Sequence, residues 1–154
     1  MFVIFLKTKT GFDELVSSLR QKCGDDFIVV KPELCFSEKF LRYTLFLAYK
    51  SFQNGTASAK TLGLEWLCRM AGTGNVSTAI SLCLPSREKG TVVGIACPRK
   101  IEGAELADLG KPVEIGLAAL GKKAAALFKV SKNELANNSL EDLLIERAAL
   151  AAVA

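Results

Sequence analysis

Residues 59 to 80 read Ala59-Lys60-Thr61-Leu62-Gly63-Leu64-Glu65-Trp66-Leu67-Cys68-Arg69-Met70-Ala71-Gly72-Thr73-Gly74-Asn75-Val76-Ser77-Thr78-Ala79-Ile80. They predict a helix, a glycine-punctuated turn and a second helix, with a lysine at the entrance. Thr61 has the chemistry to cap the first helix by accepting from a free backbone N–H. Gly72 and Gly74 reach backbone angles that side-chained residues avoid. Asn75 is a good N-cap for the helix running to Ile80. The turn is expected to present unpaired N–H groups and a positive dipole end beside Lys60, a modest anion or phosphate site. An ordinary helix–turn–helix corner gives the same pattern, and both readings stay open. Leu62, Trp66, Leu67 and Met70 read as core or partner contacts. Trp66, the single tryptophan, reads as packing rather than as a base-stacking platform.

Outward from this stretch, residues 2 to 7 predict a buried strand, β-branched and aromatic. Thr10 to Asp13 resembles a capping box that opens a helix through Lys22, with Phe12, Leu15, Val16 and Leu19 facing the core. Cys23 to Asp26 is a turn, and Phe27 to Val30 is a second strand stopped by Pro32. Ser37 caps a helix running to Gln53, with Phe36 packing on Leu41 as a staple. Phe40, Leu41, Leu45, Ala48 and Phe52 form its apolar face, while Arg42, Tyr49 and Lys50 lie toward solvent. Asn54-Gly55 ends it. Thr91 to Cys97 is the most strand-like run of the second half and ends at Pro98. Glu102 to Leu109 reads as helical, Val113 to Ile115 as a strand or extended link, and Gly116 to Leu127 as helix. Phe128 to Val130 reads as extended. Ser131 and Ser139 cap the last two helices. Strands scattered among many helices predict an α+β or mixed α/β domain: one domain over residues 1–154, with a small mixed or antiparallel sheet and helices packed around it. Between the first two strands, either a parallel crossover or an intervening strand is allowed.

Composition excludes several classes. The chain of 154 residues is half hydrophobic, enough for a real core, and no apolar run is long enough to span a membrane. The apolar segment Met1 to Lys7 lacks a positive n-region and a cleavage site and reads as a strand, so a cytoplasmic location is the default. There is no histidine. That removes the commonest general base, the commonest metal ligand and every Ser-His or Cys-His pair. The five cysteines, Cys23, Cys35, Cys68, Cys83 and Cys97, form no Cys-x-x-Cys pair and match no zinc spacing. Buried reduced thiols are expected. A net charge of +4 permits contact with nucleic acid without demanding it. No metal and no small-molecule cofactor is expected.

The order and spacing of several segments carry a resemblance. Lys60-Thr61-Leu62-x-x-Glu65-x-Leu67, followed by Gly72-x-x-Asn75-Val76 and a short helix, resembles the signature region of the PRPK-binding protein family, the small kinase-binding subunit of the KEOPS complex. Phe40 to Ala59 resembles that family's long apolar helix, and Leu140 to Val153 its final helix. Relatives often carry a basic residue in the turn after the glycine, where this chain has Thr73 and Gly74. The resemblance implies a non-catalytic subunit that docks on a kinase-like ATPase. The assembly makes the threonylcarbamoyl modification of adenosine at position 37 of tRNA. Archaeal relatives also hold the single-stranded 3′ CCA end of tRNA.

On this reading Lys60, Arg69, Gly72, Thr73, Gly74 and Asn75 are the candidate tRNA-binding residues, by charge contacts to the backbone and pockets for splayed bases. Lys60 pairing with Glu65 on the surface is the competing view. Tyr49, on the helix from Ser37, and Leu144, on the last helix, are the candidate partner contacts. Two other classes compete. A thiol enzyme would use Cys83 or Cys97, with Arg87 or Arg99 lowering the thiol pKa, but has no histidine base. A nucleotide module would use Ala71 to Asn75, but its Gly-x-Gly follows a helix and no P-loop lysine follows. A stand-alone RNA-binding domain is a further alternative.

Overall fold

Alternation along the two central strands sets the layering. β1 (Phe2–Thr8) and β3 (Val92–Cys97) pair antiparallel, with Ile4 opposite Ile95 and Leu6 opposite Val93. Leu6, Val93, Ile95 and Cys97 enter one core, while Val3, Phe5 and Ala96 enter the other. That is the period-two split a pleated strand imposes. The computed structural model describes residues 1–153. β2 (Ile28–Val30) lies beyond β3 and β4 (Gly110–Pro112) beyond β1, giving the order β2-β3-β1-β4 with every pairing antiparallel. β1 and β2 therefore run parallel with β3 between them, and of the two arrangements the sequence allows, the intervening strand is the one formed.

One face of the sheet is covered by α1 (Phe12–Cys23) through Leu15 and Leu19, and by the short α5 (Gly103–Leu106). The other face carries α2 (Glu38–Gln53), α3 (Leu62–Ala71), α4 (Val76–Cys83), α6 (Leu117–Leu127) and α8 (Leu140–Val153). They enclose the larger core, with Phe40, Leu41, Trp66, Leu67, Leu120 and Leu144. α7 (Lys132–Asn137) connects α6 to α8. The protein is a single small domain of mixed α/β class with an antiparallel sheet. No helix among the described residues is long and apolar enough to cross a membrane.

Several local expectations hold. Ser37 accepts from the Phe40 N–H at 3.1 Å, and its hydroxyl also donates to the Glu141 carboxylate, tying the start of α2 to the start of α8. Ser131 and Glu134 form a reciprocal capping box, and Ser139 accepts from the Asp142 N–H at 3.1 Å.

Others are corrected. α1 starts from Gly11 with no side-chain cap, because the Phe12 N–H donates to the Arg87 carbonyl at 3.0 Å instead. The last strand is Gly110–Pro112, and of the two alternatives for Val113 to Ile115 the structure forms the link, leading from β4 to α6, and not the strand. Pro112 is tolerated because β4 is an edge, and Gly110 approaches so closely that a Cβ there would stand 2.5 Å from the Lys7 carbonyl oxygen. Phe128 to Val130 is not extended. Val130 N–H donates to Ala125 O at 2.9 Å and Lys129, at φ 53°, takes the left-handed position that closes α6. The helix expected over Glu102 to Leu109 shrinks to Gly103–Leu106. Phe52 is on the outer side of α2, 40% exposed.

Candidate functional site

Both ends of α3 are capped as its sequence specifies. Thr61 Oγ1 accepts from the Leu64 N–H at 3.3 Å. Gly72 takes a left-handed conformation, φ 68°, and closes the helix with Gly72 N–H to Arg69 O at 3.2 Å and Thr73 N–H to Cys68 O at 3.1 Å. Beyond the turn, Thr73 Oγ1 accepts from the Asn75 N–H at 3.1 Å and Asn75 Oδ1 from the Thr78 N–H at 3.0 Å. The turn therefore fills several of its own donors, which corrects the expected row of unpaired N–H groups. The placement of Lys60 is corrected too. Ten helical residues, about 15 Å of rise, separate it from Gly72. Lys60 is exposed at the far end of α3, and Gly72, Thr73, Gly74 and Asn75 sit together at the near end.

Arg69 is not a free cation. It is buried and donates through Nε and Nη2 to Glu65 Oε1 at 2.9 and 2.6 Å. The other carboxylate oxygen of Glu65 accepts from the Ser58 and Ala59 N–H groups at 2.8 and 2.9 Å. Glu65, fully buried, thus satisfies two backbone donors and a guanidinium at once, which is what a buried carboxylate requires. Its pairing with Lys60 is ruled out by the same geometry. The sequence reading missed this role. The available signal was a Glu-x-x-x-Arg pair in a helix otherwise apolar nearly all round.

Arg69 still borders open space. With Thr56, Ser58, Gly72, Thr73 and Gly74 it lines a cleft of about 560 Å³ against the last turn of α8. A second cleft of about 600 Å³ shares Gly72 and Ala151 with it and is walled by Leu82, Leu127, Phe128 and Leu150, with Arg147 alongside. Arg147 is fixed by its bonds to the Phe128 carbonyl at 2.8 Å and to Glu134 at 3.1 Å.

The two candidate partner contacts separate. Leu144 is 2% exposed and belongs to the main core, so it is corrected from interface to packing residue. The large apolar residues of α8 that are exposed are Leu150 and Val153. Tyr49 does lie outside. With Phe46 and Phe52 it forms a stripe on α2 at spacings of three residues, each 40% exposed or more. Lys50 Nζ stands 5.8 Å from the Phe46 ring centroid, and Tyr43 and Phe46 have centroids 6.3 Å apart. Met1, Arg42, Leu45 and Pro98 border Phe46 and Tyr49. Trp66 stays inside and donates from Nε1 to Thr44 Oγ1 at 3.0 Å.

The thiols offer no accessible nucleophile. All five cysteines are free and buried. Burial pushes Cys35 and Cys83 up to about 12. The Cys97 thiol faces the Asp26 carbonyl at 3.3 Å, and Arg87 is paired with Asp13 at 3.5 Å. Cys83 and Cys97 therefore lack the exposure that a thiol enzyme would need. The nucleotide-module reading loses its loop, since Gly72 closes a helix. Among the described residues no group of three or more His, Cys, Asp or Glu side chains is placed to hold a metal ion. No protein-family model and no curated protein matches this chain.

Proposed function

We propose that the protein is a non-catalytic adaptor, the kinase-binding subunit of a KEOPS-like tRNA-modification complex, and that it docks on a kinase-like ATPase subunit through the outer face of α2. The observation that carries the docking face is the exposed stripe of Phe46, Tyr49 and Phe52. Aromatic side chains are enriched at the buried centres of interfaces and supply most of the energy there. A helix presenting them at three-residue spacing suits a groove or helix face on a partner. The identity of the complex rests on the resemblance of Lys60 to Leu67, Gly72 to Val76 and Leu140 to Val153. The buried, reduced thiols fit a reducing compartment such as the cytoplasm.

The tRNA 3′ end belongs, on this proposal, to the polar cleft at Gly72 to Gly74 rather than to Lys60. The cleft offers the hydroxyls of Thr56, Ser58 and Thr73, glycine backbone and a guanidinium whose charge Glu65 already balances. Binding there would depend on shape and hydrogen bonds more than on net charge. Co-purification with the kinase-like subunit tests the docking limb: Tyr49→Ala should weaken capture and Lys60→Ala should not. Comparing intact tRNA with tRNA lacking CCA tests the other limb, and equal affinity for both would remove the 3′-end assignment.

A further inference from the structure

At the outer edge of the sheet, β2 pairs, among the described residues, only with β3. Its other edge carries backbone N–H and C=O groups that no strand meets. α3 covers part of that edge: a Cβ on Gly63 would stand 3.1 Å from the Phe27 carbonyl oxygen. α1 approaches from the opposite face. Between the two helices and the strand edge lies a cavity of about 190 Å³. Phe12 and Val16 of α1, Phe27 and Val29 beside and within β2, and Leu64 and Leu67 of α3 wall it. Arg20 and Asp25, joined at 2.8 Å and both more than half exposed, form its solvent side.

Size and lining decide what fits. An apolar cavity of roughly 150 Å³ stays dry and accepts benzene. A space of about 190 Å³ takes one ring with a small substituent or a fused second ring. The walls answer the ring, but a pure hydrocarbon would leave the strand edge without a partner. We propose that this cavity is a binding site for a neutral, ring-sized aromatic ligand carrying one polar N–H or O–H group, the chemistry of indoles and phenols. The ring lies between α1 and α3, and the polar group meets the free edge of β2 or the ion pair at the mouth. None of these residues belongs to the docking stripe or to the cleft at Gly72, so the site stands independently of the adaptor reading.

Indole titrated into methyl-labelled protein tests it. The expected result is saturable shifts confined to the methyls that line the cavity, Val16, Ile28, Val29, Leu64, Leu67 and Leu84, with a dissociation constant on the order of 1 mM or tighter. Val16→Phe, which fills the cavity, should weaken indole binding by about tenfold or more. Leu64→Phe serves the same purpose from the opposite wall if the first variant loses native dichroism. Absence of saturable shifts at indole on the order of 10 mM would overturn the proposal. So would shifts centred on other methyls, or unchanged binding by a folded filling variant. Benzene binding as tightly as indole would overturn the polar-group assignment.

Discussion

α2 and α3 lie side by side, and each carries a glutamate followed four residues later by an arginine. In both pairs the arginine Nε and Nη2 donate to one carboxylate oxygen, at 2.9 and 2.7 Å for Arg42 on Glu38 and at 2.9 and 2.6 Å for Arg69 on Glu65. The surroundings are opposite. The side chains of Glu38 and Arg42 are more than half exposed, those of Glu65 and Arg69 at most 5%. Water screens the first pair, so it decorates a helix. The second is desolvated and also holds the Ser58 and Ala59 N–H groups, so it fastens the loop after α2 onto α3. The same contrast extends to the aromatics: α2 leaves Phe46, Tyr49 and Phe52 at the surface, while α3 buries Trp66. α2 buries one side in the core and leaves an aromatic stripe exposed on the other, while α3 buries its large side chains nearly all round.

The largest effect expected from this contrast is at Glu65. Glu65→Ala leaves the Arg69 charge and two backbone donors buried without a partner and should cost about 3–5 kcal/mol in denaturant unfolding. A loss near that at Glu38 would make the contrast empty. Leu144→Asp belongs to the same class, since it puts a carboxylate in the main core. It should be judged by folding before any binding experiment is read. Gly72→Ala comes next, at about 1–2 kcal/mol, because its φ of 68° is costly for a residue with a Cβ. Glu38→Ala should cost no more than about 0.3–0.5 kcal/mol, and less in high salt.

Two further measurements probe ionisation. Cys35 and Cys83, pushed up to about 12 by burial, should alkylate slowly in the native state at pH 8 and readily after unfolding. Fast native labelling of Cys83 would return the thiol chemistry to contention. Glu134 is held below the ordinary carboxylate value of 4.5, first by the Ser131 backbone N–H, then by the Ser131 hydroxyl and Arg147. Its carboxylate therefore stabilises α7 and its link to α8 above the ordinary value. That contribution is lost as pH falls through the lower folded value, which an NMR titration of Glu134 follows.

Local chemistry was legible in the residues. Ser37, Thr61, Asn75 and Ser131 cap the helices their neighbours predict, because a cap needs only a side-chain oxygen within three residues. The continuous apolar runs of β1 and β3, rich in β-branched and aromatic residues, announce strands, and both faces of the sheet are covered. What sequence could not supply was which face of each helix meets the core. The sequence points Arg69 and Leu144 to the surface because an isolated helix shows its period but not its neighbours, and α3 and α8 are packed where those residues point inward. Lys60 and the turn are close in sequence, which suggests one site, while α3 holds them at opposite ends. β4 escaped because Gly-Lys-Pro has no strand propensity of its own. It exists because β1 offers a free edge and Gly110 permits the approach.

The docking face is tested most directly by calorimetric titration of the kinase-like ATPase subunit into native protein and into the Phe46→Ser and Tyr49→Ala variants, each first shown to melt near the native temperature. The account predicts that truncating a central aromatic weakens binding by roughly thirtyfold or more, about 2 kcal/mol, while Glu38→Ala and Lys60→Ala leave it within about threefold. Native affinity in both folded aromatic variants would contradict it and move the interface off α2.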